Sequence, residues 1–222
     1  MDTNTLNSII QTISIAALPV IFAITLHEAA HGYVARRFGD STAYMLGRLT
    51  LNPLKHIDPI GTVLIPLVTY LFGGILFGYA KPVPVNFSNL RHPKQDMFWV
   101  AAAGPAANLV MAFFWGAMVK AATFMPGNYF ADPLAQMGIF GVQINVVLMV
   151  LNLLPLPPLD GGRIAVSLLP GPLAYRFSRI EPYGFIILIV LMLTHILGLI
   201  LQPVVQLVWG LVAALFGLPL QI

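Results

Sequence analysis

The sequence predicts an all-α polytopic membrane protein: about five transmembrane helices plus one re-entrant or irregular membrane-associated segment, in which a short β element would also fit. Three observations carry this. The 222 residues are 58% apolar and only 9% charged, with a mean hydropathy of +0.85, whereas a soluble domain is about 25% charged. Uncharged runs long enough to cross a bilayer recur along the chain. The basic residues cluster between those runs in a strongly one-sided way. There are no cysteines, so disulfides, thiolate metal sites and thiol nucleophiles are excluded. The net charge of +3 reads as a topology signal, not as a nucleic-acid surface.

The first span runs from about Ile9 to Phe38. Thr3 to Leu26 holds no charge, and Arg36 and Arg37 close the segment. No basic stretch precedes it and it continues into a polar motif, so it is expected to stay on the chain and not to be a cleaved signal. Gly47–Ile60 is rich in turn formers, including Asn52-Pro53 and Asp58-Pro59. Gly61–Ala80 is uncharged but contains four glycines and Pro66, which suits a re-entrant element better than a regular helix. Ala80–Val85 is proline-spaced, extended chain.

Met97–Val119 is a clear span containing Gly104-Pro105-Ala106-Ala107-Asn108. Its small residues allow close helix approach, and Asn108 is expected to hydrogen-bond a neighbouring helix. Pro133–Leu159 follows, ending in Pro155, Pro157 and Pro158, where an α-helix cannot continue. The chain should unwind there and present Asp160 from a glycine-flanked bend. Arg163–Glu181 is a polar connection with room for a short helix. Pro182–Ile222 carries no charge and, broken at Gln202-Pro203, yields closing spans at about Phe185–Leu201 and Val204–Pro219. The whole chain, 1–222, reads as one domain with a core over about 9–163 and added helices over about 182–222.

The basic residues decide the doubtful segment. If Gly61–Ala80 does not cross, ten of eleven lie on one side and only Lys120 on the other; if it crosses, the split is six to five. The positive-inside rule selects the first arrangement, with the N-terminus outside and the C-terminus and active-site side cytoplasmic. The expected location is the plasma membrane of a prokaryotic cell.

The chemistry sits where the first span turns polar. His27 and His31 are four apart and share one helical face. That spacing suits two imidazole nitrogens on one zinc ion, and Glu28 is placed beside it to take a proton from a water. Charged groups in apolar spans are costly and usually functional. A catalytic zinc needs a third protein ligand. His56 and His92 lie in loops, and His195 reads as a hydrogen-bonded structural histidine. Of the carboxylates, only Glu28 and Asp160 lie within or at the end of a strong apolar run, which makes Asp160 the best third ligand. Asn152, two helical turns before Asp160, is either an oxyanion donor or a helix–helix hydrogen-bonding residue.

These residues resemble the site-2 protease family of intramembrane zinc metalloproteases. The resemblance rests on His27-Glu28-Ala29-Ala30-His31, the stretch Gly47–Gly61, Gly104-Pro105 with Asn108, and Asn152–Gly162, in the family's order over about Leu26 to Arg163. It implies regulated cleavage of transmembrane helices in substrate proteins. It implies one Zn2+ per chain on His27, His31 and Asp160, with Glu28 as general base and Asn152 near the substrate. It also implies a minimal member, without a PDZ or CBS domain. The expected partners are transmembrane protein substrates and the lipid bilayer, with no nucleic acid. A substrate helix must unwind before attack, and Leu49–Leu51 or Val83–Phe87 are candidate edges for it. A metal transporter would spread polar ligands over more helices, and a non-catalytic scaffold would not need the intact motif.

Overall fold

A computed structural model describes residues 3–64 and 80–218. Among these, the chain forms α1 (Thr3–Arg37), α2 (Thr42–Met45), α3 (Pro93–Ala122), α4 (Ala131–Asn152), α5 (Asp160–Leu168), α6 (Gly171–Ser178), α7 (Glu181–Leu193) and α8 (Ile196–Phe216). No strand occurs among the described residues, so a short β element is not seen there. Leu49–Leu51 and Val83–Phe87 are irregular or extended, apart from the first residue of a 3-10 turn at Phe87–Asn89.

Among the described residues, four helices are long and apolar enough to cross a bilayer: Ile10–Arg37 within α1, and α3, α4 and α8. The thirteen residues of α7 rise about 20 Å, less than the ~30 Å hydrocarbon core. The difference from five full spans comes from where the last apolar run breaks. The break is not at Gln202-Pro203. His195 adopts φ 59 in the left-handed region, which ends α7, and Pro203 lies inside α8. A proline within a span is tolerated when neighbours satisfy the freed backbone groups. Hydropathy alone does not distinguish a terminating histidine from a tolerated proline.

The segment before the expected re-entrant element is capped by Asp58, whose Oδ1 accepts the N–H groups of Ile60 and Gly61 at 3.0 and 2.7 Å. It enters a π-helical turn at Pro59–Leu64. The greater part of the predicted re-entrant element, residues 65–79, lies outside the described residues.

The core forms where α3, α4 and α8 meet. Ala112, Trp115 and Val119 of α3 pack with Val142, Val146 and Val150 of α4 and with Trp209, Val212 and Ala213 of α8. Small residues set the spacing. A Cβ on Gly141 would lie 2.3 Å from the Trp115 ring, and one on Gly138 would lie 2.5 Å from Val119 Cγ2. Close backbone approach of this kind is how apolar helices associate in lipid. α1 packs against both α3 and α4, which brings the polar motif of α1 against the middle of the bundle.

Two short connections complete the frame. Leu153–Leu159 is not helical, as the prolines require, and Asp160 is the first residue of α5. The bend fits only because two glycines follow it. A Cβ on Gly161 would lie 2.2 Å from the Leu153 carbonyl oxygen, and one on Gly162 2.3 Å from Pro157 N. Ala80–Arg91 forms a strap across the end of α1. It is pinned by Asp40, whose carboxylate accepts from Asn86 N, Asn89 Nδ2, Thr42 N and the Thr42 hydroxyl. Arg48 holds its other end through the Lys81 and Pro82 carbonyls at 3.2 and 3.3 Å.

Candidate active site

His27 and His31 lie one turn apart on α1, facing α3. Their rings meet edge-on with centroids 4.7 Å apart. Gly104 of α3 makes room for them: a Cβ there would lie 2.4 Å from His31 Nε2 and 2.6 Å from His27 Cε1. Each ring is held from behind. His31 Nδ1 donates to the Val100 carbonyl at 2.7 Å, and His27 Nδ1 donates to Asn108 Oδ1 at 2.7 Å. With both Nδ1 atoms carrying the proton, each neutral ring presents the Nε2 lone pair.

Those lone pairs converge on Asp160. The two Nε2 atoms are 3.1 Å apart, and Asp160 Oδ2 lies 3.2 Å from His27 Nε2 and 3.3 Å from His31 Nε2. Asp160 Oδ2 is buried and has no hydrogen-bond donor. Three acceptor atoms therefore face one point without a proton between them. A cation resolves that arrangement. Tetrahedral zinc with bonds of about 2.0–2.1 Å sets its ligand atoms about 3.3 Å apart, close to the spacing seen. The donor set, two imidazoles and one carboxylate, is also one that zinc takes with a fourth position open. Among the described residues, this is the group of histidine and carboxylate side chains able to hold a metal.

Glu28, next to His27, points its carboxylate to the strap. Its Oε2 accepts the Val83 N–H at 2.7 Å. Its other oxygen has no partner among the described residues. Val83 itself is buried and would meet a Cβ on Gly32 at 3.0 Å, with Leu49 at 2.9 Å on the same spot.

Of His27, Glu28, His31 and Asp160, the residues singled out in the sequence, the fold converges His27, His31 and Asp160, while the Glu28 carboxylate reaches the Val83 amide. Asn152 is different: it ends α4, and its amide donates to the Leu148 carbonyl of its own helix at 3.0 Å. Asn108 bonds neighbouring helices, as expected, but one of its bonds reaches a histidine of the motif. His56 is buried and donates from Nε2 to the Thr50 carbonyl at 2.9 Å, a loop-bracing role. Asn145, the Val100 carbonyl and the Val83 amide are contributors that sequence reasoning did not single out. A polar side chain inside the α4 run was the available signal for Asn145; backbone groups leave none.

Fold and site together define a helical membrane protein with a largely buried group of two histidines and one carboxylate that could hold a metal ion. Comparison with known proteins agrees. Residues 118–195 match the model for peptidase family M50. The chain is 42% identical over 192 residues to "Putative zinc metalloprotease YwhC" of Bacillus subtilis (strain 168), covering 85% of this chain and 84% of that one. It is 34% identical over 180 residues to "Putative zinc metalloprotease Rip2" of Mycolicibacterium smegmatis, covering 80% and 66%. It is 28% identical over 153 residues to "Putative zinc metalloprotease MJ0611" of Methanocaldococcus jannaschii, covering 68% of each. The search of solved structures gave no significant match. The chain belongs to peptidase family M50, the site-2 proteases, and is a zinc metalloprotease of that type.

Proposed function

We propose that the chain is an intramembrane endopeptidase that hydrolyses peptide bonds within or near transmembrane segments of membrane proteins, as a step of regulated intramembrane proteolysis. The observation that carries this is the convergence of His27 Nε2, His31 Nε2 and Asp160 Oδ2 at 3.1–3.3 Å, with Glu28 alongside, on a helix apolar enough to span a bilayer. His27, His31 and Asp160 hold one zinc per chain. When bound, zinc acidifies a water and polarises the scissile carbonyl.

The chain's own residues supply the rest. Glu28 accepts the proton of the attacking water and returns it to the leaving amine nitrogen. The Val83 N–H keeps one Glu28 oxygen occupied, so the free oxygen is the one that exchanges the proton. Asn152 has a second amide N–H beyond the one given to Leu148, and this N–H donates to the oxyanion that develops on the carbonyl. The unwound substrate lies along the strap at Val83–Phe87 and pairs with its extended backbone by strand addition.

A Cβ on Gly217, just past α8, would lie 4.0 Å from Lys120 Nζ, so α8 ends on the Lys120 side and not at the cytoplasmic face expected for the C-terminus; four crossings lead to the same side. The protein works in the plasma membrane of a prokaryote, with the N-terminus outside and the active-site end cytoplasmic. The ten-to-one split of basic residues supports this. Exposed Phe124, Tyr129 and Phe130 mark a membrane interface at the Lys120 end of the bundle. The relatives named above are bacterial and archaeal.

The test is to reconstitute wild type and Glu28→Gln with a membrane-embedded substrate and to measure bound zinc and cleavage. Zinc in both and cleavage in wild type alone is the expected outcome. Undiminished cleavage by Glu28→Gln, or metal flux without cleavage, overturns the proposal.

A further inference from the structure

The bond between His27 Nδ1 and Asn108 Oδ1 is the inner end of a longer relay. Asn108 is fully buried on α3. Its Nδ2 donates to the Ala23 carbonyl of α1 at 3.2 Å and to Asn145 Oδ1 of α4 at 3.0 Å. Asn145, also fully buried, donates from its own Nδ2 to the Gly141 carbonyl at 2.8 Å.

The direction of every bond follows from the two ends. Backbone carbonyls only accept. The Gly141 carbonyl therefore demands the NH2 group of Asn145, which turns Asn145 Oδ1 toward Asn108. That oxygen and the Ala23 carbonyl are both acceptors, so they demand the NH2 group of Asn108. Asn108 Oδ1 is left facing His27, and His27 must answer with Nδ1–H. Its Nε2 then carries a lone pair aimed at Asp160. Reversing any amide would set two acceptors or two donors against each other in a dry interior, where unpaired polar groups are most costly.

We propose that Asn145 is a positioning residue, which acts through Asn108 to hold His27 in the Nδ1–H tautomer and at the ring angle its Nε2 needs for metal. This rests on the reading of His27 as a zinc ligand. Two of the three helices in the relay serve no other part of the site with these residues, and neither asparagine touches the metal position. The Ala23 bond is the longer of the two that orient Asn108, so Asn145 supplies a substantial share of the restraint. Partners behind a metal-bound histidine of this kind typically alter metal affinity about 10–100-fold.

The experiment compares zinc affinity by chelator competition in wild type, Asn145→Leu, Asn108→Leu, the double variant and His27→Ala, with thermal unfolding of the zinc-free proteins in parallel. In 15N-histidine-labelled, zinc-free protein, the His27 resonance reports the tautomer directly. Asn145→Leu is expected to weaken zinc binding about tenfold and to populate the other His27 tautomer. Asn108→Leu is expected to weaken it more, and the double variant no further than Asn108→Leu. A purely structural role would lower the unfolding temperature but leave both the tautomer and the affinity of the folded protein unchanged, and this overturns the proposal. Additive losses in the double variant overturn it as well. If Leu at 145 prevents folding, Asn145→Ala removes the same oxygen with less bulk and takes its place. His27→Ala separates the ligand from the relay: undiminished zinc affinity there would refute His27 as a ligand, whereas its loss there with no effect at Asn145 would refute only the relay.

Discussion

The backbone N–H of Val83 donates to Glu28 Oε2 at 2.7 Å, joining a strap to a helix residue fifty-five positions earlier. Val83 is flanked by Pro82 and Pro84, which have no N–H. Its amide is therefore the single backbone donor in that three-residue stretch, and it is spent on the carboxylate. Arg48 and Asp40 hold the strap at either side of this point.

Val83→Pro removes that donor while keeping extended chain. A hydrogen bond to a charged group contributes about 1.5–3 kcal/mol, so the turnover number should fall roughly 10–100-fold. Zinc content should not change, because no ligand contacts Val83. Turnover of a membrane-embedded substrate, with metal analysis of the same samples, checks both halves.

Gly104→Ala places a methyl group 2.4 Å from His31 Nε2. The ring must move, and with it a nitrogen aimed at Asp160. Zinc affinity should drop by about 10–100-fold, measured by chelator competition, with the helix content in circular dichroism unchanged.

Gly161→Ala and Gly162→Ala should act on folding. Their added carbons would meet the backbone of Leu153 and Pro157, at 2.2 and 2.3 Å, and backbone yields less easily than a side-chain tip. Overpacking of this kind costs about 1–3 kcal/mol or more. Gly171→Ala, with nothing within 4 Å of the added carbon, is the control and should unfold at the wild-type temperature in detergent.

Asp40 gives a pH dependence with a fixed sign. Burial would raise its carboxyl, but hydrogen bonds from Thr42, Asn89 and Asn86 outweigh burial and hold it below the ordinary 3.8. A carboxyl depressed in the folded state contributes stability that is complete above the unfolded value and is lost as pH falls through the folded one. The Asn86 amide should therefore be protected from hydrogen exchange at neutral pH and lose protection only below pH 3.8. Asp40→Asn, which offers one acceptor oxygen to donors that now share two, should lose that protection at neutral pH as well.

Much of the site is legible in the sequence because its chemistry is costly where it sits. Two histidines and a glutamate in an apolar run, and an aspartate after three prolines, stand out against their surroundings. The proline-rich bend and the glycines after it follow from local backbone rules. What stays hidden depends on contact between distant residues. The Val83 amide, the Val100 carbonyl and the Asn145 relay involve ordinary groups whose partners lie 37 to 69 positions away. The end of α7 is hidden for another reason: His195 takes a left-handed conformation that no run of apolar residues announces.

Whether His27, His31 and Asp160 form one zinc site is decided by zinc stoichiometry and X-ray absorption at the zinc edge in wild type and in Asp160→Ala. The expected result is about one zinc per chain in wild type, with two imidazole nitrogens and a carboxylate oxygen at about 2.0–2.1 Å, and loss of most bound zinc from a folded Asp160→Ala. Stoichiometric zinc of unchanged affinity and coordination in Asp160→Ala would contradict it.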